Sequence, residues 1–285
     1  MTSTNPLFAF FGTPRFAVRV LDALEAKGLL PALVITAPDK PAGRGLEVKQ
    51  SPVKEWALAR GIDVLTPTTL KDETLVAELQ NTDWDVFLVA AYNKLIPNAI
   101  LNIPQKGSLN VHPSLLPKFR GPSPALSAVL ADERTTGVSV MQMSDKMDAG
   151  PVVAQARIEL EESEWPPKGS LFEDLLATEG GTLLAETLPE WLKGTITPEV
   201  QDETMATFTK KFSSNDALID LSGNAREQLL KIRAFDKNPR AFYIDQNGKR
   251  IIITEADIVD GKLEILKVIP EGKKEMEYKE FLKGA

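Results

Sequence analysis

Up to residue 160 the chain alternates short, unbroken apolar runs with stretches of helical periodicity. Leu7–Phe11, Ala32–Thr36, Val64–Leu65, Val86–Ala91, Ser108–His112 and Val138–Met143 read as strands, with Phe16–Lys27 and Lys71–Gln80 as helices between them. A strand that is apolar on both faces must be covered on both. That condition is met in a mostly parallel α/β sheet with helices on either side. Sites in such sheets lie outside the carboxyl ends of the strands. The acidic, Pro-bearing segment 159–167 reads as a surface loop, and helical periodicity resumes over Leu171–Leu192. From Gly194 to Phe208 the pattern dissolves. Beyond it, Ala225–Phe235 reads as a helix, and short strands flank Asn247-Gly248 and Asp260-Gly261 turns. The expected organisation is a domain at 1–193, a linker at 194–208 and a small β-rich, barrel-like domain at 209–285.

Composition removes several chemistries. With no Cys among 285 residues there is no disulfide framework, thiolate metal site or cysteine nucleophile, and a single His excludes a His-rich metal cluster. No metal is expected. The N-terminal apolar run is too short for a secretory signal, and none approaches the roughly 20 residues of a membrane helix. A cytoplasmic protein without a membrane partner is expected. The net charge of −7 argues against a general nucleic-acid coat or a DNA binder. It is unevenly placed: residues 1–205 carry 18 basic and 27 acidic side chains, and residues 206–285 carry 15 and 13.

The lone histidine lies in Ser108-Leu109-Asn110-Val111-His112-Pro113. Asn110 and His112, two apart, share one face of a strand that Pro113 ends. On spacing alone the pair serves equally well as a structural strand terminus; its place at a strand end favours a ligand site. Asp148, in the loop before Ala149-Gly150, reads alone as a solvated turn residue, with Asp145 as a competitor. Together an Asn, a His and an Asp suit acyl transfer. Amide and imidazolium would hold an oxyanion, while the carboxylate orients the ring and assists proton removal. Gly12-Thr13-Pro14 stands where a dinucleotide fold carries G-x-G-x-x-G, and the fingerprint is missing. Gly43-Arg44-Gly45, with Lys40 and Lys49, forms a basic loop that suits phosphate or RNA, or is simply solvated. The loop 113–124 (PSLLPKFRGPSP) follows the Asn–His strand directly, and its leucines suit the cover of a flat heterocycle.

These residues resemble a known family. The sequence is similar, over essentially its whole length, to the methionyl-tRNA formyltransferase family of 10-formyltetrahydrofolate-dependent formyltransferases. The resemblance rests on Phe11-Gly12-Thr13-Pro14, Pro38-Asp39-Lys40-Pro41-Ala42-Gly43-Arg44-Gly45, Ser51-Pro52-Val53-Lys54, Asn110-Val111-His112-Pro113-Ser114-Leu115-Leu116-Pro117, Arg120-Gly121 and Asp148-Ala149-Gly150. In the tail it rests on Gln201-Asp202-Glu203, Ile219-Asp220, Arg233-Ala234-Phe235 and Pro270-Glu271-Gly272-Lys273-Lys274.

The resemblance implies a Rossmann-like catalytic domain and an OB-like C-terminal domain. It makes Asn110, His112 and Asp148 catalytic. Ser114, Leu115, Leu116 and Pro117 would line a tetrahydrofolate pocket with backbone near Ala91 and Tyr92. Arg44, Lys40 and Lys49 would meet the acceptor stem of initiator methionyl-tRNA. The folate is then a cosubstrate, no cofactor is tightly bound, and a monomer is expected. Asn93 stands where the family commonly has Gly, Leu221 where it has Trp, and Asp236-Lys237-Asn238-Pro239 where it has Pro-Trp-Pro. The alternatives are an amino-sugar-nucleotide N-formyltransferase, against which the 40–54 and tail signatures speak, and a non-catalytic folate- or RNA-binding protein.

Overall fold

The computed structural model describes residues 5–42 and 47–283. Its contacts group into two compact units: Met1–Gly121 with Gly137–Ile158 and Asp174–Phe208, and Pro122–Thr136 with Glu159–Glu173 and Thr209–Ala285.

In the first unit the chain runs β1 (Phe8–Gly12), α1 (Arg15–Ala26), β2 (Leu33–Ile35), β3 (Lys40–Ala42), β4 (Glu47–Lys49), α2 (Pro52–Leu58), β5 (Asp63–Leu65), α3 (Glu73–Gln80), β6 (Val86–Ala90), α4 (Asn98–Leu101) and β7 (Ser108–His112). After α5 (Pro124–Leu130), which belongs to the second unit, come β8 (Thr136–Gln142), β9 (Val152–Ile158) and α6 (Gly169–Lys193). Seven strands form one sheet in the order β5-β2-β1-β6-β7-β8-β9. The pairings from β5 through β7 are parallel, and β8 runs antiparallel to β7. The mostly parallel α/β architecture expected from the apolar runs is therefore present.

Period-two geometry sorts the apolar runs onto two cores. Phe8, Phe10, Val86, Leu88, Leu109 and Val111 pack with α1, α2 and α6 residues such as Leu21, Trp56 and Leu184. Ala9, Phe11, Phe87 and Val89 point the other way, against Leu75, Leu79, Trp84 and Ile100. The chain leaves β1 for β2 and β5 on one side and returns to β6 on the other, so the topological switch lies between β1 and β6. Gly12 ends β1 there: an added Cβ would stand 2.6 Å from Ala17 Cβ and 3.0 Å from the Ala90 carbonyl oxygen of β6. The turn admits glycine because two strands and a helix converge on it.

Sequence periodicity does not mark α2, β9 or the β3–β4 hairpin. Local chemistry explains α2: Ser51 caps it by accepting from Lys54 N–H at 3.1 Å, and Pro52 starts the first turn. Ser51 also meets Thr36 at 2.7 Å, and Lys54 Nζ donates to Asp39 at 2.7 Å. These two ties close the base of the segment that carries the hairpin.

The second unit holds α5, α7 (Ala225–Ala234), β10 (Phe242–Ile244), β11 (Arg250–Val259), β12 (Lys262–Pro270), β13 (Met276–Glu277) and α8 (Tyr278–Lys283). The four strands form a separate antiparallel sheet in chain order. Asp132 accepts from Trp165 Nε1 at 2.6 Å and from Arg226 at 2.7 and 3.0 Å, tying α5's exit to α7. Asn224 caps α7 by accepting from Arg226 N–H at 2.9 Å.

Phe10 is wholly buried on a central strand. Phe10→Ala should lower the unfolding free energy by about 3–5 kcal/mol in urea denaturation, while Leu95→Ala, 78% exposed, should stay within about 0.5 kcal/mol. Equal losses in the two variants would contradict the two-faced core.

Candidate functional site

Strand β7 turns Leu109 and Val111 into the core beneath α6, which leaves Asn110 and His112 on the opposite face. His112 is 4% exposed at the strand's carboxyl end. Its Nε2–H donates to the Phe119 carbonyl at 3.0 Å, so in the neutral ring the lone pair lies on Nδ1. Nδ1 stands 3.7 Å from Asp148 Oδ2, close enough for strong electrostatic coupling but too far for a hydrogen bond. The ring is thus fixed by a backbone carbonyl, and the carboxylate faces the nitrogen left open. The Asn110 amide has no hydrogen-bond partner among the described residues.

Asp148 sits in left-handed backbone, φ +50°, where a non-glycine residue is strained. Its Oδ2 accepts from Gly121 N–H at 2.8 Å, and its carbonyl accepts from Gln201 Nε2 at 2.9 Å. Gly150 ends the loop because a Cβ there would collide with the Gln142 carbonyl.

Ser114 and Leu116 are buried and Leu115 and Pro117 half-buried, in a loop pinned to the sheet. Ser114 Oγ donates to the Lys118 carbonyl at 2.7 Å, and Ser139 Oγ donates to the Ser114 carbonyl at 2.7 Å. Leu116 N–H reaches Ser139 Oγ at 3.1 Å, while Gln155 Nε2 donates to the Leu116 carbonyl at 2.9 Å. Ala91 and Tyr92 follow β6 at the same sheet edge. Ala91 has φ +46°, and Asn93 has φ +61°, the left-handed conformation that asparagine tolerates. The Tyr92 ring packs edge-on against Phe11 at 5.5 Å. Its buried hydroxyl lacks a partner among the described residues, and burial pushes the phenol up to about 12.

Lys40 and Lys49 are exposed and pair directly across the β3–β4 hairpin. Arg44 lies outside the described residues. Among the described residues no group of His, Cys, Asp and Glu is placed to hold a metal ion, and no helix is long and apolar enough to cross a membrane.

Periodicity and spacing mark no role for Phe119, Arg120, Gly121, Ser139, Gln155 or Gln201. Arg120-Gly121 and Gln201-Asp202-Glu203 did stand among the motifs of the resemblance. That was their sole signal, since backbone donors and a residue 53 positions from Asp148 leave no periodic trace.

The formyl transferase family model matches residues 5–171. A methionyl-tRNA formyltransferase of Chloroflexus aggregans is 43% identical over 236 residues, covering 82% of this chain and 74% of that protein. One from Lactobacillus johnsonii is 36% identical over 300 residues, covering 96% and 94%. Among solved structures, HypX from Aquifex aeolicus in complex with tetrahydrofolic acid matches with a TM-score of 0.67 at 16% identity, over 98% of this chain and 47% of that one. At that identity the likeness concerns the fold.

Burial pulls the His112 imidazole below its ordinary value of 6.5; Asp148 and the Phe119 carbonyl pull upward without outweighing it. Below pH 6.5 the unfolded chain therefore binds the proton that the folded chain refuses. This share of stability is complete above pH 6.5 and falls as pH drops through the folded value. Proton NMR of the lone histidine should show it titrating below 6.5, and His112→Asn should flatten the acid dependence of the urea midpoint. A titration at or above 6.5 would falsify the neutral, buried assignment.

Proposed function

We infer the function from one premise: the chain belongs to the methionyl-tRNA formyltransferase family. It formylates methionyl-tRNA, and the formyl donor we propose is 10-formyltetrahydrofolate. The observation that carries the reading is the His112–Asp148 pair at the carboxyl edge of β7, with Asn110 two residues before His112 on the same strand face and the 114–117 loop pinned to the sheet.

The reaction joins the α-amine of methionine to the formyl carbon and releases N10 of the folate. α-Amino groups titrate near pH 8, so a useful share of the amine is neutral and nucleophilic without activation. Attack makes a tetrahedral carbon bearing an oxyanion, and leaves a surplus proton on the attacking nitrogen. The Asn110 amide donates to the oxyanion. His112, neutral with its Nδ1 lone pair open beside Asp148, takes the amine proton. The resulting imidazolium is stabilised by the carboxylate, helps Asn110 hold the oxyanion, and returns the proton to N10 as the C–N10 bond breaks. The new C–N bond, the broken one and one transferred proton balance. Positioning and oxyanion stabilisation supply the acceleration.

Ser114, Leu115, Leu116 and Pro117, with the backbone at Ala91 and Tyr92, would cover the pteridine as cosubstrate pocket, with no cofactor retained between turnovers. Lys40 and Lys49 support an RNA-facing role for the hairpin. Like charges directly opposite on paired strands repel, and a phosphate between them removes the repulsion. With Arg44 they would meet the acceptor stem of initiator tRNA, and the second unit, read as an OB-like domain, would also bind the tRNA. The protein would act as a cytoplasmic monomer.

Asn110→Ala should lower kcat by about 100- to 1,000-fold, the usual effect of one lost oxyanion donor. Asp148→Asn should fall at least as far, with folate binding retained in both; near-parental turnover in either variant would remove that residue from the mechanism. In a transfer assay with labelled 10-formyltetrahydrofolate, label should pass to charged initiator tRNA and not to an amino-sugar nucleotide. The opposite pattern would overturn the acceptor. Arg44→Ala should raise KM for the tRNA while the folate Kd holds, and an unchanged KM would detach that loop from the RNA.

A further inference from the structure

Three consecutive residues organise the His112–Asp148 pair. The Phe119 carbonyl accepts from His112 Nε2 at 3.0 Å, and Gly121 N–H donates to Asp148 Oδ2 at 2.8 Å. Between them lies Arg120, 2% exposed. Its Nε–H donates to Gln201 Oε1 at 3.0 Å, and its two terminal nitrogens fork onto the carboxylate of Glu203 at 3.0 Å each. The Gln201 Nε2 then donates to the carbonyls of Asp148 at 2.9 Å and Gly150 at 2.7 Å.

This arrangement leaves the Gln201 amide one orientation. Flipped, it would aim its NH2 at the Arg120 Nε–H and its oxygen at two carbonyls. Arg120 thereby dictates which way the two N–H donors point, and these donors grip the backbone on both sides of the strained Asp148–Gly150 turn. The 119–120 backbone is itself held from the same segment: Phe119 N–H donates to Thr207 Oγ1 and Arg120 N–H to the Thr207 carbonyl, each at 2.8 Å. Left-handed backbone at a non-glycine residue persists where its surroundings over-determine it. Asp148, with φ +50°, meets that condition through Gly121 and Gln201.

We propose that Arg120 and Gln201 are positioning residues for the formyl transfer: the buried guanidinium orients the Gln201 amide, and the amide holds the Asp148 turn at its working distance from His112. The proposal rests on the catalytic reading of Asp148 and His112. It predicts that loosening the relay degrades the chemical step while cosubstrate binding holds, since neither residue is among Ser114–Pro117, read as lining the folate pocket.

The single histidine of the chain gives a readout that needs no substrate. Asp148 is the charged neighbour that raises the His112 titration, so moving it away lowers that titration further. Gln201→Met keeps the length of the side chain and removes its three hydrogen bonds. Gln201→Glu keeps an acceptor for Arg120 but turns an oxygen toward the two carbonyls. In Gln201→Met the His112 ring signal should titrate at lower pH than in the parent, toward the value in Asp148→Asn; in Gln201→Glu the added carboxylate opposes that shift, so that variant is read by turnover alone. The kcat should fall by about 10- to 100-fold, the scale of a misplacement of about 1 Å, with KM for 10-formyltetrahydrofolate within about two-fold.

A folded Gln201→Met protein whose histidine titrates as the parent's does overturns the relay. So does one in which KM rises while kcat holds. Should Gln201→Met not fold, Glu203→Ala tests the same chain from its exposed outer end. The shift should then have the same sign and smaller amplitude, and an unshifted titration counts against the proposal. If the parent transfers no formyl group to tRNA, the assigned reaction fails, while the titration still decides whether Arg120 and Gln201 set the pair.

Discussion

A strand buried on both faces has little place for a polar side chain except at its ends or where it is fully hydrogen-bonded. β1 and β6 obey this along their whole length, with Phe8 through Phe11 fully buried and Val86 through Ala90 at most 3% exposed. The consequence reaches the rest of the molecule. Reactive groups gather where the strands stop, and the parallel order of five strands puts those stopping points on one edge. Gly12, Ala91 and His112 all fall there. The same rule explains why β7 alternates. Its Leu109 and Val111 complete the core under α6, and its other face is released to carry an amide and an imidazole.

That edge is also where the backbone leaves its common conformations. Ala91, Asn93, Phe119 and Asp148 all have positive φ. Left-handed backbone at a non-glycine residue costs about 1–3 kcal/mol, least at an asparagine or aspartate, and is held by the surrounding structure. The strain aims groups that regular strands would turn sideways: the Phe119 carbonyl at the ring, and the Asp148 carboxylate toward the same ring. Burial supplies the other half of the design. A histidine kept neutral by desolvation can accept a proton, and a carboxylate 3.7 Å away makes the charged form bearable once it has one.

Much of this could be read from the residues in order. Apolar runs located four of the seven strands of the large sheet, the mixed segments Ser108–His112 and Val138–Met143 located two more, and Pro113 located the end of β7. The Asn-x-His spacing placed two side chains on one face, where the structure has them. What periodicity could not carry was direction and distance. Nothing in Thr136–Gln142 says that β8 runs antiparallel to β7. β9 (VVAQARI) is half-buried, so it lacks the unbroken apolar signature of its neighbours. α2 begins with a serine cap and a proline that resemble any turn. The contacts around Asp148 are backbone amides and a glutamine more than fifty positions away, and proximity of that kind has no sequence period. Asn93 is the opposite case: an asparagine where the family commonly has glycine stands in left-handed backbone.

The burial of Tyr92 bounds the protein from the alkaline side. Its phenol, ordinarily at 10.0, is raised to about 12 by desolvation, so the folded chain keeps a proton that the unfolded chain releases above pH 10. That increment of stability is whole below pH 10 and drains away as alkalinity rises through the folded value. His112 narrows the range from the acid side by the mirror-image argument. Burial at one sheet edge thus contributes two increments of stability whose pH limits lie on opposite sides of neutrality.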